Sequence, residues 1–236
     1  MNLLEEIETM ESCFQKKYHL IKICLEYEPT TETLKNNLAL FYKFLSIYMV
    51  CRMNFKKKDD RVQQFIQRFM DYIQTQKEIF KNHTHYLSYQ LLCLYIGIMK
   101  SDHGLIREIH KDILKYMDYH ILKSGIMRDA MEHDALTYQI NNLMDLCVIT
   151  TTLQKYGFYH FDYLNHKNMV GSSILKAFLY LEPFILEKKF HYQFLNTIFE
   201  EDRKHPQFGS KWDPEMTRPL FTRFGHLHKK LKNIIS

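Results

Sequence analysis

Residues 132–157 read EHDALTYQINNLMDLCVITTTLQKYG, and the spacing of their apolar residues is typical of a long, partly buried helix. Gly157 is the kind of residue that ends a helix. The stretch therefore predicts a helix over Glu132–Tyr156. Its apolar residues recur at intervals of three and four and form one stripe: Leu136, Ile140, Leu143 and Leu146.

The rest of the chain follows the same pattern. Only 7 Gly and 5 Pro occur in 236 residues, too few turn residues for an all-β protein. We predict an all-α fold of antiparallel helix hairpins in one domain, 1–236, arranged as an α/α toroid, an α-solenoid or an irregular bundle. One further predicted helix begins at Thr31 or Thr33 and runs to about Asn54. The other predicted helices are Arg61–Phe80, Tyr86–Lys100, Leu105–Leu122, Ser172–Leu186, Lys189–Glu201 and Glu215–Ile235. The main predicted loops are Lys123–Met131 and Asp202–Pro214.

The net charge of +5 suits an acidic partner, such as an acidic polysaccharide, a nucleic acid or anionic lipid. The dense basic runs, Lys56–Lys58 and Lys229–Lys232, are short and typical of solvated helix ends, so there is no strong nucleic-acid signal. No apolar run reaches the ~18 residues that a membrane span needs. Ser172–Leu186 is apolar but contains Lys176, Glu182 and Pro183. We interpret it as a buried helix, with membrane association as the alternative.

The cysteines and the N-terminus indicate a compartment. Five widely spaced cysteines without a CxxC motif favour free thiols in a reducing environment. Met1–Met10 carries three glutamates and no apolar signal region. We therefore expect an intracellular protein, in the cytoplasm or nucleus, that is not exported by a signal peptide.

Polar residues cluster at the start of the predicted Glu132–Tyr156 helix. Thr137, Tyr138 and Asn141 follow His133 at spacings of four, five and eight, so all four share one helical face. Such a row beside an apolar stripe often lines a cleft. The alternative is that His133 and Tyr138 are ordinary buried groups with satisfied hydrogen bonds.

A second polar cluster, Asn82-His83-Thr84-His85, comes just before the predicted helix Tyr86–Lys100. On a strand, His83 and His85 would point the same way and could bind a metal ion, but the sequence predicts a loop here. No Asp, Glu or His at ligand spacing completes a metal site. We therefore predict neither a metal nor another cofactor.

Together these motifs resemble the helical catalytic domain of alginate-lyase-like polysaccharide lyases. The resemblance spans roughly residues 80–220 and implies an α/α toroid, here incomplete. Two positions depart from the family pattern: His133 stands where an Arg is usual, and Tyr89 where a His is usual. The motifs that carry the resemblance, in the family's order, are Asn82-His83-Thr84-His85, His133-Asp134-Ala135-Leu136-Thr137-Tyr138, the helix Ser173–Phe184, and Lys211-Trp212-Asp213-Pro214.

If activity survives, the resemblance implies β-elimination on a uronate polysaccharide. The reaction needs a donor that neutralises the uronate carboxylate, a base that takes the C5 proton, and an acid for the leaving oxygen. Tyr138 is the candidate acid, supported by His133 or Arg128. A His, or a Tyr with a lowered pKa, is the candidate base. The candidate donors to the carboxylate are Asn82, His83 and His85.

The same resemblance implies substrate-binding roles for Asn82, Asn141 and Trp212. Because of the departures at His133 and Tyr89, however, we favour a non-catalytic protein that binds a protein or glycan partner, with the lyase as the alternative. The segment His133–Gln139 also resembles one in an uncharacterised core protein family of baculovirus- and nudivirus-like arthropod viruses. That second resemblance implies a virion-associated role in virion assembly or envelopment.

Overall fold

The computed structural model describes residues 60–80 and 86–235 of the chain. The chain divides into two compact units, Met1–Ile106 and Arg107–Ser236. Over the described residues it is helical, with two isolated bridges and no strand, which confirms the all-α prediction. The single domain and the toroidal arrangement stay predictions.

The described part of the first unit is built around an apolar helix. It contains α1 (Asp60–Thr75), α2 (Lys77–Phe80) and α3 (Tyr86–Lys100). The ring of Tyr89 on α3 stacks on Phe80 with centroids 5.0 Å apart, and its hydroxyl donates to the carbonyl oxygen of Ile73 at 3.1 Å. These buried contacts fix α3 against the first two helices, as its apolar composition requires.

The second unit is arranged around one long helix. α4 (His103–His120) contributes its residues from Arg107 onward. The helix α6 contacts α5, α7 and α8. The remaining helices are α5 (Arg128–Glu132), α6 (Leu136–Tyr156), α7 (Ile174–Ile185), α8 (Arg218–Phe224) and α9 (Lys229–Ile235), with 3-10 turns at Glu201–Lys204, Pro214–Thr217 and Gly225–Leu227.

The core of this unit contains the apolar stripe of α6. Leu143, Leu146 and Leu153 are fully buried. Phe178 of α7 and Phe221 of α8 meet edge to face, with centroids 5.4 Å apart. Burial of each such side chain contributes roughly 1.5–3 kcal/mol to the free energy of unfolding. The predicted apolar stripe therefore does determine which face of α6 points inward.

One buried polar side chain ties three segments together at the start of α6. Gln139 accepts a hydrogen bond from the backbone N–H of Met127 at 2.7 Å and donates to the carbonyl oxygens of Gly125 at 3.1 Å and Ala177 at 3.0 Å. Gly125 has φ +96°, and a Cβ there would lie 2.5 Å from the carbonyl oxygen of Lys176. Only glycine fits this close approach of loop and helix.

The structure corrects the predicted helix over Lys189–Glu201. Residues 187–200 form an irregular segment instead, and the only helical turn nearby is the 3-10 turn Glu201–Lys204. Glu187 and Phe194 have φ of +51° and +65°, which no α-helix permits. The backbone N–H of Phe194 donates to Asp134 rather than to its own segment. Tertiary hydrogen bonds therefore replace the helical ones.

Other predicted boundaries shift in a similar way. The predicted loop Lys123–Met131 contains α5, and the predicted helix Glu215–Ile235 is broken around Gly225–Leu227. Among the described helices, none combines the length and apolarity needed to cross a membrane. The predicted buried helix Ser172–Leu186 corresponds to α7, of which four residues are buried in the core: Ile174, Ala177, Phe178 and Leu181.

Candidate functional site

The chain bends sharply immediately before α6. α5 ends at Glu132, and Asp134 takes a left-handed conformation with φ +49°. An aspartate tolerates this conformation better than most residues. The prediction that one helix runs through Glu132–Tyr156 is therefore wrong, and His133 lies in the bend and not on the helix that carries Tyr138.

The His133 side chain is buried and held by a carboxylate. Its Nδ1 lies 2.6 Å from Oδ2 of Asp202, and the Thr197 hydroxyl donates to the same oxygen at 2.5 Å. The side chains of His133 and Asp202 are 11% and 8% exposed. Hydrogen bonds to a buried charged acceptor are among the stronger ones in proteins. His133 is thus anchored from a segment some seventy positions later in the chain.

Two aromatic rings enclose the imidazole of His133. The ring of Tyr138 stacks on the imidazole with centroids 4.1 Å apart and planes 10° apart. The ring of Phe199 also stacks on it, with centroids 4.3 Å apart and planes 23° apart. The lone pair of an imidazole nitrogen lies in the ring plane, so a parallel stacked phenol is badly placed to share a proton with it. His133 therefore supports the position of Tyr138 and does not act as its base.

Tyr138 is half-buried, and its surroundings favour the protonated phenol. Burial, and then the negative charges of Asp202, Asp129 and Glu201, raise the pKa of Tyr138 above its ordinary value of 10.0. A raised pKa keeps the phenol protonated and opposes the role of a base, and it also makes the phenol a weaker acid. Of the chemical roles that the resemblance implies for a tyrosine, this environment excludes the base and is compatible with a proton donor.

Arg128 is directed towards α4. Its guanidinium lies 4.2 Å from the ring centroid of Tyr119, its Nε donates to the carbonyl oxygen of Tyr119 at 3.3 Å, and an Nη is 3.6 Å from Glu132. The guanidinium of Arg128, which was expected to support Tyr138, is therefore engaged with Tyr119 and Glu132 instead.

A second carboxylate, Asp129, lies near the same ring system. Asn142 donates to its Oδ2 at 2.8 Å, and Nδ1 of His120 lies 3.5 Å from its Oδ1. Burial alone would raise the pKa of Asp129, but the interactions with His120 and Asn142 and the charge of His133 outweigh it and lower the pKa. Asp129 is therefore an anion at neutral pH, beside a site expected to receive an anionic sugar.

Of the other predicted site residues, the structure describes Asn141 and Trp212. Asn141 is exposed on α6. Trp212 is only 4% exposed, and no described residue accepts a hydrogen bond from its Nε1. Asn82, His83 and His85 lie outside the described residues. The side chains that sequence reasoning missed are Thr197, Phe199, Asp202, Asp129, Asn142 and His120.

The sequence offered little signal for these missed residues. Asp202 follows Glu200 and Glu201, a run that resembles a solvated acidic turn, and its partner is distant in the chain. Asn142 is adjacent to the predicted Asn141 but points to a different neighbour. Within residues 60–80 and 86–235, no three His, Cys, Asp or Glu side chains lie close enough together to hold a metal ion.

Comparison with known families identifies the chain's relationship. The family model described as alginate lyase matches residues 43–191, which is more than half of the chain. No curated protein and no solved structure matches it. The matched range includes His133 and Tyr138 and stops before Thr197 and Asp202, which anchor His133. On this match, the chain belongs to the alginate lyase family.

Proposed function

We propose that this member of the alginate lyase family binds a protein partner and does not cleave a polyuronide. The proposal rests on the segment Leu186–Ile198, called here the apolar segment. Hydrogen bonds to the start of α6 fix its backbone, and Phe194 is buried, while five other large apolar side chains of the segment face solvent. Non-catalytic binding is also what the departures from the family pattern at His133 and Tyr89 favour.

The anchoring uses polar groups at the start of α6, within the stretch His133–Tyr138 that carries the family resemblance. The carbonyl oxygen of Asp134 accepts from the N–H of Phe194 at 2.7 Å, and its carboxylate accepts from the N–H of Asn196 at 2.7 Å. Gln193 accepts from the N–H of Leu136 at 3.0 Å and donates to the hydroxyl of Thr137 at 3.1 Å. The start of α6 therefore serves as a support for the apolar segment.

The side chains that this support presents are unusual for a solvent-facing loop. Five of them keep between 40% and 70% of their surface exposed. Clustered exposed apolar side chains, especially aromatic ones, mark protein contact sites, and a fixed backbone lowers the entropy lost on binding. These five residues are Leu186, Phe190, Tyr192, Leu195 and Ile198.

The charges around Tyr138 argue against a uronate in the same place. Three carboxylates, those of Asp202, Asp129 and Glu201, act on the phenol and raise its pKa. A uronate brings a fourth negative charge, and β-elimination requires that this charge be neutralised. Arg128, the nearest predicted cation, is engaged with Tyr119 and Glu132.

The proposal is tested by capturing partners from source cells with the full chain and with a double variant, Leu195→Asp with Ile198→Asp. Both side chains are exposed, so the fold should persist. Met169→Asp, at a residue 87% exposed elsewhere in the unit, is the matched control for the added charge. We expect a defined protein to be captured by wild type, Met169→Asp and Tyr138→Phe, and lost with the double variant. Capture that survives the double variant, or that Tyr138→Phe abolishes, would contradict the proposal.

A second candidate function is β-elimination itself. The observation that favours it is the half-buried Tyr138, a protonated phenol in the stretch that the family model matches. The test incubates the full chain with alginate, glucuronan and related polyuronides and follows ultraviolet absorbance of the unsaturated product. Product formed by wild type and lost in Tyr138→Phe would establish the lyase. Absence of product on every polyuronide would leave the binding function.

As part of the same proposal, the partner belongs to a virus particle in formation, and the protein acts in the cytoplasm or nucleus. The support is the resemblance of His133–Gln139 to the viral core family. Detection of the protein and its captured partner in purified virions would agree with this role. A partner confined to the secretory pathway would contradict it.

A further inference from the structure

A polar cavity lies near the end of α6, far from Tyr138. Its volume is about 200 Å³. On α6 the cavity lining begins at Cys147, nine positions from Tyr138 or about 13 Å along the axis, and extends to Gln154, about 24 Å away. The cavity is therefore separate from the site around His133. Its lining mixes polar and apolar side chains, among them Thr151, Gln154, Asp162, Asn165, Ile174 and Leu227.

An aromatic turn, Gly157–Phe161, is adjacent along the chain and borders a more open cavity of about 250 Å³. Tyr159 is 73% exposed, and its ring centroid lies 3.9 Å from that of His160. A large aromatic side chain so exposed gains little from the fold itself. The turn thus offers an exposed ring to solvent, and its last residue, Phe161, immediately precedes Asp162 in the lining of the polar cavity.

The turn is fixed by contacts from two helices. The N–H of Phe158 donates to Leu153 at 2.9 Å, and Gln154 of α6 donates to the carbonyl oxygen of Phe161 at 2.8 Å. From α4, the ring of His110 stacks on Phe158 with centroids 4.0 Å apart and planes 15° apart. A surface held in this way loses little conformational entropy when a ligand binds.

We propose that the two cavities form a binding site for a glycan, with one neutral sugar ring in the polar cavity and the next ring stacked on the aromatic turn. The proposal is independent of the protein-binding function. The polar cavity is smaller than the roughly 300–1,000 Å³ typical of pockets for drug-sized ligands. A single pyranose ring, with apolar C–H faces and hydroxyl edges, suits both its size and its mixed lining.

Asp162 and Asn165 supply the expected partners for hydroxyl groups. The carboxylate of Asp162 accepts from the backbone N–H of Asn165 at 3.1 Å and from its side-chain amide at 2.8 Å. A carboxylate has about four lone-pair sites, so it retains capacity to accept from sugar hydroxyls. No Lys or Arg is among the lining residues, and a uronate would meet the negative charge of Asp162. The negative charge of Asp162, without a lining cation to balance it, favours a neutral sugar over a uronate.

The test measures binding of the full chain to neutral gluco-, manno- and chito-oligosaccharides, with oligouronates in parallel, by saturation-transfer NMR and calorimetry. Tyr159→Ala removes an exposed ring, and Asp162→Ala removes the acceptor. Tyr192→Ala, at a tyrosine 49% exposed in the apolar segment, is the matched control. We expect a neutral oligosaccharide to bind, with affinity lowered roughly threefold to tenfold by Tyr159→Ala, the range that one aromatic contact supplies.

Asp162→Ala should also weaken binding, while Tyr192→Ala should leave it unchanged. Thermal unfolding of each variant separates a lost contact from a lost fold, and Tyr159→Ala is the variant least able to disturb it. The proposal is overturned if no neutral oligosaccharide binds, if oligouronates bind more tightly than neutral ones, or if Tyr159→Ala binds as wild type does. Partner capture through the apolar segment is unaffected by any of these results.

Discussion

Replacing Asp202 by alanine tests whether the anchored His133 organises the second unit. The substitution removes the acceptor of two buried hydrogen bonds, from His133 at 2.6 Å and from Thr197 at 2.5 Å. With side chains 11% and 8% exposed, His133 and Asp202 have little access to water that would replace the lost contact. The substitution leaves two polar groups, on His133 and Thr197, without their acceptor, and each orphaned polar group costs about 1–3 kcal/mol. We expect the free energy of unfolding to fall by about 2–5 kcal/mol.

Urea unfolding followed by the fluorescence of Trp212 measures this loss. Trp212 is the only tryptophan of the chain and is buried in the same unit as Asp202, so its emission reports this unit. Glu201→Ala is the control, because it removes a neighbouring exposed carboxylate and should change stability by no more than about 0.5 kcal/mol. Asp202→Asn keeps one acceptor oxygen and should fall between the two. The reasoning is refuted if Asp202→Ala loses no more stability than Glu201→Ala.

Two further predictions concern the same unit. Gly125→Ala should lower the free energy of unfolding by more than about 2 kcal/mol, because its φ is +96° and the new Cβ would meet the carbonyl oxygen of Lys176. Gly157→Ala, with open space around the new Cβ, should cost less in the same urea unfolding assay. The lowered pKa of Asp129, against its ordinary value of 3.8, means that its carboxylate stabilises the fold at neutral pH and that this contribution is lost as the pH falls through the folded-state pKa. Asp129→Asn should therefore flatten the acid side of a plot of urea midpoint against pH, and an unchanged acid limb would exclude the role assigned to its contact with His120.

The helical fold and much of its core were accessible from the sequence because they depend on local spacing. Tyr86–Lys100 was predicted with the observed bounds, and the apolar stripe of α6 is buried as expected. The end of α6 at Gly157 was also predicted. In each case the residues that determine the structure lie within a few turns of one another, so a periodic pattern is sufficient to identify them.

The irregular parts of the second unit were not accessible in this way. Residues 187–200 carry enough apolar spacing to suggest a helix, yet their backbone bonds to Asp134 and Glu132, over fifty positions earlier. The helix propensity of this segment is outweighed by hydrogen bonds to residues 132–134, which exist only once the unit has folded. The bend at Asp134 presents the acceptors of these hydrogen bonds, and it also separates His133 from the helix that carries Tyr138.

The sequence by itself determined that the described residues form helices without strands, that α6 carries its core stripe on one face, and that His133 and Tyr138 lie in the stretch that the alginate lyase model matches. Only the tertiary structure decided their chemical setting. Asp202 reaches His133 across the fold, and burial, together with carboxylates from separate elements, raises the pKa of Tyr138. The physical reason is that helical periodicity is encoded between near neighbours, whereas burial and electrostatic interactions depend on which distant residues the fold brings within a few ångströms.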